Sequence, residues 1–261
     1  MSEDLKSCCA TLYESDFARL LLGDSFHPGG VRLTERLGEM LELKTGARVL
    51  DVASGKGESA IFLARHFGCE VVGVDFGAAN VQRAGDRAAA AGIADLVTFR
   101  QGDAEELDLA DGSFDAVICE CAFCTFPNKP AAAREFARIL KAGGKAGLSD
   151  LTRSTVLPPE LQGLLAWVAC IADARPAQEY VAYLGDAGFE GIQVEMHDEA
   201  LVEMVRDIQG KLLGAELMSK SKKLALEGVD FAQAKALARA ASDAVRAKTL
   251  GYAIISGRRG S

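Results

Sequence analysis

The chain has no run of Lys or Arg. With a formal net charge of −8 over 261 residues, it lacks the basic stripe that a phosphate backbone demands, which argues against a nucleic-acid partner. It also lacks a long hydrophobic run. The longest, LLAWVACIA at 164–172, falls far short of the roughly 20 residues that cross a bilayer, so no membrane partner is expected. The opening MSEDLKSCCA is acidic and carries no apolar segment of signal-peptide length, and the expectation is a cytoplasmic protein. No internal repeat and no linker-like segment interrupts it. Seven cysteines in such a chain are expected to be reduced rather than paired.

What is present from residue 47 is alternation. ARVLDV, EVVGVD, LVTFR, FDAVIC and GKAGLSD read as strands. Between them GESAIFLARHF, AANVQRAGDRAAAAG and KPAAAREFARIL have helical spacing. Strands alternating with helices imply right-handed crossovers and a mostly parallel sheet. After residue 150, PPELQGLLAWVACIA and AQEYVAYLGDAG read as helices, GIQVEMH as a strand, 198–249 as two or more amphipathic helices, and GYAIISGR as a last strand. The late strand and the terminal strand are expected to form an antiparallel edge. The N-terminal 45 residues suggest helices around LYESDFARLLL and LTERLGEMLEL, bridged by GDSFHPGG. The expected organisation is one domain: a helical cap at 1–45, a core at 46–197, a helical insertion at 198–249 and a last strand at 250–258.

VLDVASGKGESA is a strand, a tight turn and a helix start. Gly55 and Gly57 let the backbone approach a ligand, and the free N–H groups of the helix start attract a carboxylate or phosphate. Asp75, twenty-four residues after Asp51 and at the end of the second strand, stands where an acid accepts from ribose hydroxyls. A dinucleotide fingerprint fails, because the turn has no third glycine, and no phosphate loop with Lys-Ser/Thr is present. Asp51 at the mouth of the turn would repel a pyrophosphate and suits a ligand that bears an ammonium group.

VLDVASGKG, GVDF, GDAEEL, FDAVIC and ILKAGGKAGLSD resemble, in order and spacing, the motifs of class I S-adenosylmethionine-dependent methyltransferases over residues 45 to 195. The resemblance implies a Rossmann-like α/β fold: a seven-stranded, mostly parallel sheet with an antiparallel last strand, N-terminal helices and a helical insertion before that strand. It also implies S-adenosylmethionine as cofactor. The methionine part falls at the glycine turn, the ribose at Asp75, the adenine amino group at Asp103, and the ring beside Ala104. The full set it places at the cofactor is Asp51, Ala53, Ser54, Gly55, Gly57, Asp75, Phe76, Asp103, Ala104 and Glu120. Ala53 departs from the family, which often has glycine there. His27, in FHPGG, reads as a structural hydrogen-bonder or a base.

Three cysteines crowd the stretch ICECAFCTFPNK: Cys119, Cys121 and Cys124. This stretch follows the fourth strand, on the side of an open α/β sheet where ligands bind. A narrower resemblance, to arsenite methyltransferases, matches Cys121, the Pro127-Asn128-Lys129 sequence and Cys170. It implies a reduced thiol pocket of Cys121 and Cys170, with Cys124 or the Cys8/Cys9 pair as third member, holding a soft metalloid acceptor. No structural metal is expected. Cys69 and Cys119 read as buried core thiols. Glu120, His27 and Tyr13 are the candidate bases for a harder acceptor, and Trp167, Phe123 and Phe126 either line a lid or pack the core. A small organic acceptor with structural cysteines, or a non-catalytic thiol sensor that binds the cofactor, remains an alternative. Neither the acceptor nor the oligomeric state follows from these residues.

Overall fold

The computed structural model describes residues 27–162, 166, 170–220 and 230–260. The expected helix around LYESDFARLLL, the Cys8/Cys9 pair, Tyr13 and Trp167 lie outside the described residues. The chain order is α1 (Val31–Met40), β1 (Arg48–Val52), α2 (Glu58–Phe67), β2 (Glu70–Asp75), α3 (Ala78–Ala90), β3 (Val97–Gln101), β4 (Phe114–Glu120), α4 (Lys129–Ile139), β5 (Leu140–Arg153), α5 (Ala177–Asp186), β6 (Phe189–Met196), α6 (Asp198–Lys220), α7 (Phe231–Arg246) and β7 (Leu250–Arg259).

The seven strands form one sheet in the order β3-β2-β1-β4-β5-β7-β6. β1 to β5 pair in parallel, whereas β7 runs antiparallel to both β5 and β6. The terminal strand therefore sits inside the sheet and β6 forms the edge. The apolar residues of β7 suit this place: Tyr252, Ala253, Ile254 and Ile255 are fully buried, and an edge position would leave the backbone of such an apolar strand unpaired along one side. The direction of winding changes between β1 and β4, so the crevice at their C-terminal ends is the place where an open α/β sheet receives a ligand.

Local sequence explains the elements that flank this crevice. α1 buries Leu33 and Leu37 one helical turn apart, with Leu41 just past its end, each contributing about 1.5–3 kcal/mol on leaving water. α2 begins at Gly57, held at φ 77°, where a Cβ would lie 2.4 Å from the Phe99 ring. Only glycine fits there. α4 begins at Asn128, whose side chain accepts from Ala131 N, and has Pro130 in its first turn, a sequence that starts helices. Phe123 and Phe126 belong to the core, in an aromatic group with Phe136, Tyr180 and Tyr183.

Two expectations need correction. β5 extends over Leu140–Arg153 rather than Gly144–Asp150, because Phe114 of β4 already pairs with Leu140 and β7 supplies a partner as far as Arg153. The segment 158–172 is not one helix: Pro159–Leu161 is a 3-10 turn, Ala166 is helical and Cys170 is a turn residue. Cys170 has φ 62°, and Ile171 N donates to Ala166 O at 2.8 Å. That is the closure of a Schellman motif, with a cysteine where glycine usually stands.

Candidate active site

The ends of β1 and β2 carry the first half of the site. After Val52 the chain turns at Ala53, whose φ is 58°; the left-handed conformation explains why glycine is common there and costs an alanine about 1 kcal/mol. Ser54 N donates to Val74 O at 3.0 Å and Gly57 N to Ser54 O at 2.8 Å, tying the turn to β2. Gly55 N donates to Asp75 Oδ2, and Gly77 N to Asp75 Oδ1, both at 2.8 Å; Asn80 Nδ2 adds a donor to Oδ1 at 3.2 Å. Asp75 thus shapes the glycine turn as well as presenting its carboxylate.

Asp51 is buried, and its pKa is pushed well up by burial first, then by the charges of Glu120 and Asp75. Asp51 Oδ2, Ser54 Oγ and Asn80 Oδ1 are buried without a hydrogen-bond partner among the described residues. Unsatisfied buried acceptors are costly and rare. Acceptors grouped with mutually repelling carboxylates fit a cationic ligand that brings its own donors. The ammonium and ribose hydroxyls of S-adenosylmethionine meet that description. On the far rim Asp103 Oδ1 accepts from Glu105 N at 2.9 Å, Ala104 is buried, and Phe76 O accepts from Gln101 Nε2 at 3.0 Å.

Glu120, at the end of β4, is the hub between the two halves. Its side chain is 4% exposed. It accepts from Ser59 Oγ at 2.5 Å, Thr34 Oγ1 at 3.0 Å and Ser149 Oγ at 3.3 Å, and His27 Nε2 lies 3.5 Å away. Tyr252 extends the chain by donating to Ser149 Oγ at 3.0 Å. His27 is buried against this network, with Nε2 3.5 Å from both Thr34 Oγ1 and Ser59 Oγ. Thr34, Ser59 and Ser149 had no signal in the sequence beyond being hydroxyls, because α1, α2 and β5 meet Glu120 only in the folded chain.

Beyond Glu120 lie the thiols. Among the described residues Cys69, Cys119, Cys121, Cys124 and Cys170 are all outside disulfides. Cys69 and Cys119 are fully buried in the core. The other three converge. Cys170 Sγ donates to Cys121 O at 3.1 Å, and its thiol lies near enough to those of Cys121 and Cys124 to perturb their ionisation. Cys121 has φ 52°, and its N–H donates to Ser149 O at 2.6 Å. The contact with Cys170, then burial, pushes the Cys121 thiol well up; burial and then Cys170 do the same for Cys124. Cys121 and Cys124 are therefore held toward the neutral thiol form. Asp150 underlies them. It accepts from Cys124 N at 2.8 Å and Leu151 N at 2.7 Å, and burial raises its carboxyl to about 7. Among the described residues no group of three His, Cys, Asp or Glu is arranged to hold a metal ion, and no helix is long and apolar enough to cross a membrane.

The model of a methyltransferase domain matches residues 50–148. The chain is 36% identical over 166 residues to 27-O-demethylrifamycin SV methyltransferase of Amycolatopsis mediterranei, covering 61% of this chain and 60% of that one. It is 30% identical over 209 residues to methyltransferase GfsG of Streptomyces halstedii, covering 77% and 75%. It is 30% identical over 165 residues to an arsenite methyltransferase of Halobacterium salinarum, covering 62% and 42%. The chain thus spans less than two thirds of the rifamycin and arsenite enzymes. In three dimensions it superposes on a phosphoethanolamine N-methyltransferase of Haemonchus contortus with a TM-score of 0.78 and 19% identity, covering 93% of this chain and 56% of that one. The matched span 50–148 takes in the glycine turn and Asp75, and the seven-stranded sheet agrees with the structural likeness: the chain belongs to the S-adenosylmethionine-dependent methyltransferase family.

Proposed function

We propose that this protein transfers a methyl group to a soft, thiol-held acceptor of the trivalent arsenic type, bound at Cys121, Cys170 and Cys124. The observation that carries the reading is the convergence of these thiols, from segments 49 residues apart in sequence, at the ligand edge of β4 and β5. Two of them occupy left-handed backbone positions. Such strain persists where the surroundings impose it, and it collects at functional sites.

The upward shifts of the Cys121 and Cys124 thiols fit the acceptor. Trivalent arsenic hydroxide exchanges with thiols: three S–H bonds and three As–O bonds break, three As–S bonds form, and three waters leave. Neutral thiols meet this balance without a prior base, whereas a divalent metal would need thiolates. Cofactor placement is part of the proposal: Asp51, Ser54, Gly55, Asp75 and Asn80 take the ammonium and ribose ends, Asp103 and Ala104 the adenine, with Ala53, Gly57 and Phe76 completing the wall. When bound, S-adenosylmethionine supplies an activated methyl on a sulfonium, which a soft lone pair takes up by in-line displacement. Glu120 and its hydroxyl donors fix the floor between donor and acceptor, and His27 excludes water from it.

A second reading, a small organic acceptor with structural thiols, is favoured by the deep burial of Cys124 and Cys170. Arsenite methylation by Cys121→Ser, Cys170→Ser and the core control Cys69→Ser, measured beside cofactor affinity, separates the two. Loss in the first two, with retained cofactor binding and an active control, supports the metalloid reading. A parent protein inactive on arsenite leaves the organic acceptor.

A further inference from the structure

Lys129 stands where elementary rules disfavour it. It is the first residue of α4, and a cation there opposes the helix macrodipole. Its side chain is 5% exposed, and a buried ammonium is costly unless paired. Its Nζ donates to Phe126 O at 3.1 Å and to Asp173 Oδ2 at 2.5 Å. Asp173 follows Cys170 by three residues. Its other oxygen accepts from Arg175, and Arg153, at the end of β5, holds the same segment by donating from Nε to Ala174 O at 2.8 Å and from N to Arg175 O at 3.1 Å. The segment that carries Cys170 is thus anchored just downstream of the thiol. One of the anchors reaches it from the segment that carries Cys121 and Cys124.

We propose that the Lys129–Asp173 ion pair is a positioning device: it clamps the Cys170 segment onto the Cys121–Phe126 turn, so that the Cys170 thiol meets the thiols of Cys121 and Cys124. The inference rests on the reading of those thiols as a soft-acceptor site, and it assigns Lys129 and Asp173 no contact with the acceptor. Stability alone accounts poorly for the pair. A buried ion pair is a weak stabiliser compared with apolar residues of the same volume, and an apolar residue at 129 would also spare the helix its opposing charge. What the pair does supply is a directional link between the two thiol-bearing segments, whose thiol residues both sit in left-handed conformations that local preference would not maintain.

Phenylarsine oxide tests this. It bridges two thiols: two As–S bonds form, two S–H bonds and the As–oxygen double bond break, and one water leaves. Titration of the full chain should show an equivalent that vanishes in Cys170→Ser. Asp173→Asn should weaken that equivalent at least tenfold and leave S-adenosylmethionine affinity within twofold, while Asp173→Glu and Lys129→Arg recover most of the loss. In a Cys170→Ser background, Asp173→Asn should change the remaining binding no further, which a general loss of structure would not reproduce. If Asp173→Asn does not fold, the double variant Lys129→Met/Asp173→Leu, which buries no lone charge, replaces it with the same expectation. Parent-like binding in the variant that folds, or an additive loss in the Cys170→Ser background, overturns the clamp and leaves the thiol site standing. A parent without a Cys170-dependent equivalent overturns the thiol site and the clamp together.

Discussion

The two halves of the crevice are built from opposite chemistry. At the ends of β1 and β2, Asp51 and Asp75 stand with unsatisfied acceptors close by, and Glu120 adds a third carboxylate. At the ends of β4 and β5, the Cys170 thiol and burial favour the neutral forms of Cys121 and Cys124, and burial that of the Asp150 carboxyl. One half groups carboxylates with unpaired buried acceptors; the other is rich in thiols. Burial acts on both. In the first half some acceptors lack a partner among the described residues, and a ligand can bring the donors. In the second the groups satisfy one another, so a ligand must exchange with them. On the proposed reading, a polar cofactor and a soft acceptor share one crevice without competing for the same atoms.

The comparison breaks most sharply at Cys170. On the metalloid reading, Cys170→Ser should lower arsenite methylation by at least about a thousandfold, since a hydroxyl is too hard to replace the thiol, with cofactor affinity unchanged by calorimetry. An equal loss in both measurements would mean that the halves are not separable.

Next in size is the effect of Asp150 on stability. Its carboxyl lies at about 7 in the folded chain, above the roughly 3.9 of an unfolded aspartate. The folded state therefore holds the proton more tightly. The proton-linked stability is fully present below about pH 4 and is lost as pH rises through 7, on the order of 4 kcal/mol at most. Asp150→Asn cannot ionise, so the melting temperature of the variant minus that of the parent should increase from pH 5 to pH 8. A flat difference would place the thiol half in a more polar setting than its burial indicates.

Asp75→Ala should weaken S-adenosylmethionine by about 1.5–3 kcal/mol, between tenfold and some 150-fold. It removes both a ligand acceptor and the bonds that hold Gly55 and Gly77. Asp86→Ala, whose partner is the exposed Gln82 on α3, is the control and should leave affinity unchanged. The smallest effect belongs to Ala53. Ala53→Gly relieves a left-handed alanine but frees the unfolded chain, and a net gain of about 0.5 kcal/mol or less is expected in denaturant melts.

The sheet was readable in the sequence because alternation and burial report on local chain behaviour. The five parallel strands and their crossovers announce themselves as apolar runs separated by helical spacing. Residues 158–172 keep an apolar spacing that suits one helix, and nothing local signals the 3-10 turn at Pro159–Leu161 or the left-handed cysteine at 170. Lys129 likewise looks like an ordinary charged helix residue until Asp173 arrives from the other side.

By itself, the sequence determined the seven-stranded sheet, the glycine turn with Asp51 and Asp75, and the presence of thiols at the ligand edge, since these depend on spacing along one or two adjacent elements. Only the tertiary structure decided that β7 lies inside the sheet rather than at its rim, that Glu120 gathers Thr34, Ser59 and Ser149 from three other elements, and that Cys170 joins Cys121 and Cys124. Each of these results from contacts between segments dozens of residues apart, whose cost in chain entropy is repaid only when the whole core forms.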